Sequence, residues 1–110
     1  MARQLLTDFE LMILLAVLRA EDEAYGVTIA REIEATAGRQ VVLGAVYAAL
    51  DRLERNGLVA SKIGQPTAER GGRAKRFFSV TPQGLRAVKD TRRALVALWN
   101  DVPQLKGGRA

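Results

Sequence analysis

Leu43-Gly44-Ala45-Val46-Tyr47-Ala48-Ala49-Leu50-Asp51-Arg52-Leu53-Glu54-Arg55-Asn56-Gly57-Leu58-Val59 is the stretch whose reading decides the fold. Leu43, Val46, Tyr47, Leu50, Leu53 and, beyond Asn56-Gly57, Leu58 recur at helical spacing, which gives one apolar face. Ala45, Ala48, Ala49, Asp51, Arg52 and Arg55 occupy the other sides, small at the start and charged at the end. Such a helix buries one face and offers the other to a close-fitting partner. Downstream, Val59 to Ile63 and Phe77 to Val80 are short β-branched or aromatic runs around the loop that holds Arg70-Gly71-Gly72-Arg73-Ala74-Lys75-Arg76. That spacing predicts a two-stranded hairpin with a basic tip, in which Gly71-Gly72 permits a tight turn. A helix of this kind followed by a basic hairpin is the arrangement of a winged helix-turn-helix, and it points to duplex DNA.

Working outward from this stretch, Leu6-Thr7-Asp8-Phe9-Glu10-Leu11 predicts a helix start. Thr7 is the N-cap, Glu10 the reciprocal partner of a capping box, and Leu6 with Leu11 a hydrophobic staple. The helix body, Leu11 to Leu18, is apolar on every side. In so small a domain, part of that surface is expected to meet a second chain rather than its own core. After the acidic loop Glu21-Asp22-Glu23, Ile29, Ile33 and Ala37 fall on one face of a second helix that Gly38 stops. Thr81-Pro82 caps and opens a last helix, with proline at the first helical position. In it Leu85, Val88, Arg92, Leu95, Trp99 and Val102 follow alternating steps of three and four, a short coiled-coil seam with one basic interruption. About three heptads are too few to stand alone. The seam and the over-apolar first helix therefore predict a homodimer, with Phe9, Met12, Ile13, Leu85, Val88, Arg92, Leu95, Trp99 and Val102 at its interface.

The fold class expected is mainly α with a small β-hairpin. Residues 1–80 form a winged helix-turn-helix, 81–103 a C-terminal dimerisation helix, and 104–110 a disordered tail. The chain's 110 residues suit one domain with an appendage. Its formal charge of +5 is unevenly spread. Residues 1–60 hold six basic against nine acidic side chains, 61–76 five against one, and 77–110 six against two. The excess begins in the hairpin, where a polyanion would want it. With no cysteine and no histidine, disulfides, thiol chemistry and the commonest general base are excluded, and the carboxylates form no metal-ligand spacing. An enzyme, a cofactor and a metal site are not expected. The longest apolar run, Leu11 to Leu18, is far below the roughly 20 residues of a membrane helix. The reading is a soluble, cytoplasmic protein with no membrane partner.

The residues expected at DNA follow from groove dimensions, since a major groove admits one helix only where side chains are small. Gly44, Ala45, Ala48 and Ala49 give clearance, and Arg52, ahead of Arg55, supplies charge for a phosphate or a guanine edge. Tyr47 carries two readings, core ring or phosphate-reaching hydroxyl. In the hairpin, Lys62, Arg70, Arg73, Lys75 and Arg76 would neutralise phosphates or enter the minor groove, with Gly71 and Gly72 at the tip.

Taken together, Tyr25-Gly26, the run Gly44 to Leu58, Arg70-Gly71-Gly72-Arg73 and Thr81-Pro82-Gln83-Gly84-Leu85 resemble the PadR family of bacterial transcription regulators, in its short form with one C-terminal helix. The resemblance covers nearly the whole chain and implies a homodimeric winged-helix repressor of a palindromic operator. It also implies, as in some short members, a small aromatic or drug-like effector at the dimer interface, lined here by Phe9, Met12 and Trp99; on its residues alone Trp99 equally suits a role that only packs the dimer seam. The chain departs from the family pattern at Ala45, where a hydroxyl residue is usual, and at Ala48, where proline is usual. Direct hydrogen bonding from the helix start is thereby reduced, and readout shifts toward Arg52, the wing and DNA shape. Two other classes stay open on residues alone: a protein-interaction module with a solvated basic wing, and a ligand sensor without sequence-specific DNA binding.

Overall fold

A computed structural model describes residues 5–64 and 74–106. Helix α1 spans Asp8–Ala20, and a single 3-10 turn over Glu21–Glu23 leads to α2, Gly26–Ala37. Helix α3 spans Leu43–Arg55, strands β1 (Val59–Ile63) and β2 (Arg76–Val80) form the hairpin, and α4 runs over Pro82–Trp99.

The predicted local signals operate as read. Thr7 Oγ1 accepts from Glu10 N at 3.2 Å while Glu10 Oε1 accepts from Thr7 N at 2.9 Å, closing the capping box of α1. Gly38 ends α2, and Thr81 caps α4 by accepting from Gly84 N at 3.0 Å. The strands pair antiparallel, with Val59 opposite Val80 and Lys62 opposite Phe77. The second strand begins at Arg76, one residue before the predicted start. A two-stranded ribbon is marginal alone. Here Phe78 N donates to Ala24 O at 2.8 Å, so the segment before α2 adds one hydrogen bond to β2's outer edge.

One core joins all of these elements. Ile13, Leu14 and Val17 of α1, Ile29 and Ile33 of α2, and Val46, Leu50 and Leu53 of α3 meet Val59 and Phe78 of the hairpin. Helix α4 is attached through its first ten residues, by Gly84, Val88 and Thr91 at steps of four and three. The buried Thr91 Oγ1 accepts from Leu6 N at 3.1 Å, pinning α4 to the lead of α1. Gly84 lies so close to the hairpin's lead that a Cβ there would sit 2.1 Å from Leu58 O.

Beyond Thr91, α4 runs on uncovered: Leu95, Val96, Leu98 and Trp99 are 44–75 % exposed. On α1, Leu15 and Leu18 are likewise uncovered. The radius of gyration, 16.1 Å, exceeds the roughly 13 Å of a compact domain this long, as a projecting helix requires. Three expectations are corrected here. Ile13 is fully buried and Val88 8 % exposed within one chain, so both belong to its own core rather than to a surface that a partner could reach. Val102 falls past the end of α4, because the helix stops at Trp99 and Asn100 is already extended. Pro103–Leu105 form one 3-10 turn, where a disordered tail was expected from residue 104; residues 107–110 lie outside the described residues.

Candidate nucleic-acid interface

The apolar face of α3 is locked down, with Val46, Leu50 and Leu53 buried; Ala49, which spacing placed on the open side, is 1 % exposed and belongs to the core with them, so it gives no clearance. The opposite side, comprising Gly44, Ala45, Ala48, Asp51, Arg52 and Arg55, is open. Nothing lies within 4 Å of where a Cβ on Gly44 would point. A helix so seated is rigid on one side and unobstructed on the other, as insertion into a major groove demands.

Tyr47 packs α3 against α2. Its ring lies across Gly26 of α2, where an added Cβ would come within 2.4 Å of the ring and hydroxyl, so only glycine lets α2 and α3 approach this closely. The residue is nonetheless 38 % exposed, so it stands at the rim of the core rather than within it.

Each basic side chain has its own setting. Arg52 Nε lies 3.8 Å from Glu10 Oε2, so the capping carboxylate of α1 also steadies a cation of α3. That distance exceeds hydrogen-bond range, and Arg52 stays half exposed. Arg55, which the sequence ranked second, is exposed and makes no ion pair among the described residues. Its position in the last helical turn was the one available signal. Lys75 Nζ lies 3.8 Å from the Tyr25 ring centroid, and Tyr25 meets Phe77 edge-on at 5.6 Å, which rigidifies the base of the wing. Lys62 is exposed on β1. Arg70, Gly71, Gly72 and Arg73 lie outside the described residues.

Arg76 departs from expectation. Its Nη1 is 3.2 Å from Asp51 Oδ1, its Nη2 binds Glu54 Oε1, and its Nε donates to Ser61 Oγ at 3.2 Å. The guanidinium is committed to α3's own carboxylates, not held out toward a phosphate. Spacing could not reveal this, because the partners are more than twenty residues away in sequence.

The expected effector residues do not share one recess within a chain. Met12 lines an apolar groove of about 360 Å³ between α1 and α2 with Leu15, Leu18 and Ile33. Trp99 lines another recess with Val102 and Leu105. Phe9 lies beneath Arg39, whose guanidinium carbon is 5.0 Å from the ring centroid. At the groove's edge Arg19 pairs with Glu32, and that hydrogen bond, followed by one from Thr36, holds the Glu32 carboxyl below the ordinary carboxylate range. Among the described residues no His, Cys, Asp and Glu cluster could hold a metal, and no helix is long and apolar enough to cross a membrane.

Residues 14–90 match the model of the transcriptional regulator PadR-like family. The transcriptional regulator Rv3488 of Mycobacterium tuberculosis is 36 % identical over 83 residues, which are 76 % of this chain and 73 % of that one. Among solved structures, a transcriptional regulator from Clostridium thermocellum superposes with a TM-score of 0.71 over 88 % of each chain, at 21 % identity. A PadR-like regulator from Bacillus cereus also reaches 0.71, over 92 % of this chain and 93 % of that one, at 19 % identity. At those identities the superpositions establish the winged-helix fold.

Proposed function

We propose, from the premise that this chain belongs to the PadR-like family of DNA-binding, non-enzymatic transcriptional regulators, that it works as a homodimeric repressor of a palindromic operator. The observation that carries the reading is the open, small-residue face of α3 backed by a fully buried one. Gly44, Ala45 and Ala48 let the helix approach base edges, Tyr47 reaches a phosphate with its hydroxyl, and Arg52 and Arg55 supply the charge. Lys62 and Lys75, with Arg70 and Arg73, follow the adjoining backbone.

The uncovered half of α4 supports the dimer. Leu95, Leu98 and Trp99 lie outside the domain core, and burying an apolar side chain of that size contributes about 1.5–3 kcal/mol. Leu15 and Leu18 on α1 offer a matching apolar surface, so α4 of one copy lies along α1 of the other. The partner then brings Trp99 toward Phe9 and Met12, where a small aromatic effector would bind and release DNA.

Selecting bound duplexes from a random pool tests the reading. Half-sites about one helical turn apart are expected, with affinity falling at a log–log salt slope of roughly −5 for about six neutralised phosphates. Enrichment of no sequence, with a flat salt dependence, would overturn it. Titration of aromatic cations against Trp99 fluorescence tests the effector; no response across a broad panel counts against it.

A further inference from the structure

The carboxylates Asp51 and Glu54 of α3 need an explanation that the DNA reading leaves open. Asp51 lies three residues from Ala48 and four from Arg55, which puts it on the same open stripe. Glu54 follows one turn on. Over its last two turns α3 thus carries two negative and two positive side chains, a net charge of zero on the helix meant to enter a polyanion's groove. Unbalanced, those carboxylates would repel phosphates.

We propose that Arg76 is a positioning residue that cancels these carboxylates and so makes the exposed face of α3 acceptable to DNA; this rests on the DNA reading above. Its fork reaches both acids at once, Nη1 to Asp51 and Nη2 to Glu54. Such a fork suits guanidinium and not ammonium. Ser61 completes the network, accepting from Arg76 Nε and donating to Glu54 Oε2 at 2.7 Å. The guanidinium carbon stands 4.9 Å from the Phe78 ring centroid, so an anchored aromatic holds the fork from the hairpin side. Arg76 opens β2, so the same contact ties the base of the wing to the recognition helix. It acts through Asp51 and Glu54, and no phosphate contact is assigned to it.

The test is a mutant cycle on duplex binding, read by fluorescence anisotropy with a labelled duplex of about 30 base pairs enriched from a random pool by the wild-type chain. Arg76→Met keeps the apolar stem over Phe78 and removes the charge. It is expected to weaken binding about tenfold. Adding Asp51→Asn and Glu54→Gln to it restores affinity to within about threefold of wild type, while the same pair in the wild-type background changes affinity by less than about threefold. Equal gains from the pair in both backgrounds would overturn the proposal, because Arg76 would then be serving a phosphate independently of the carboxylates. Circular dichroism checks each fold, and Arg76→Lys, which can neutralise only one acid at a time, replaces Arg76→Met in the cycle if the latter unfolds. A wild-type chain that binds no duplex overturns the DNA reading instead, so the two failures are distinct.

Discussion

Replacing glycine by alanine at two helical positions is expected to act with opposite sign. At Gly84 the new methyl would lie 2.1 Å from Leu58 O and 2.8 Å from Val80 Cγ1. The carbonyl cannot swing away freely, since it also accepts from Thr81 N at 3.1 Å. Relief requires α4 to back off the hairpin by about 1 Å, an overpacking cost of roughly 3 kcal/mol. Against this stands a helix-propensity gain of about 1 kcal/mol for alanine over glycine. The clash wins by about 2 kcal/mol, which for a domain of this size lowers the melting temperature by roughly 10 °C. At Gly44 nothing stands within 4 Å, and alanine gains up to about 0.5–1 kcal/mol in fold stability. That methyl also thickens the face proposed to approach DNA, so Gly44→Ala is expected to melt slightly higher and to bind duplex more weakly. Thermal melts by circular dichroism, with duplex titrations alongside, read both effects. A Gly84→Ala protein melting at or above wild type would refute the argument that close packing places α4.

Three further outcomes are expected. Trp99→Ala, at a residue 64 % exposed in the single chain, raises the dimer dissociation constant at least about tenfold by sedimentation while leaving the monomer's helical signal intact; an unchanged constant removes Trp99 from the interface. Arg55→Ala lowers affinity for all duplexes alike and makes the salt slope shallower by about one, whereas a sequence-selective loss would place it on a base edge. Because the Arg19 hydrogen bond depresses the Glu32 carboxyl, its stabilisation is present above the ordinary glutamate range and is lost as pH falls through the lowered folded value. The melting gap between wild type and Glu32→Gln is therefore constant at neutral pH and closes below about pH 4; a gap that persists in acid contradicts the pairing.

Local chemistry was legible in the sequence, and long-range chemistry was not. The capping box at Thr7 and Glu10, the stop at Gly38, the hairpin and the Thr81-Pro82 restart each depend on residues a few positions apart, which periodicity and capping rules address. The open face of α3 follows from the same kind of pattern, except at Ala49, whose small side chain does not reveal that it sits in the core. The role of Arg76 was missed because one arginine in a basic run looks like its neighbours until the fold brings Asp51 and Glu54 to it. Ile13 and Val88 were assigned to a partner for a related reason. A helix apolar all round does not say which of its sides the domain itself will cover, and the structure covers Ile13 while leaving Leu15 and Leu18 bare. The end of α4 was overrun because the seam's spacing continues to Val102 after helical backbone has ceased at Trp99.

Ala24 takes up one amide on β2's outer edge, while among the described residues no strand pairs with the outer edge of β1. An unpaired strand edge invites edge-to-edge association between molecules, and a lysine on such an edge discourages it. Lys62 lies on β1 beside Ile63, which is 68 % exposed. It therefore discourages edge-to-edge pairing, and in the DNA reading proposed above it also offers charge to a phosphate. An apolar replacement there would remove both safeguards at once, and weak DNA binding by such a variant could reflect aggregated protein. Lys62→Gln keeps the edge hydrophilic and isolates the charge.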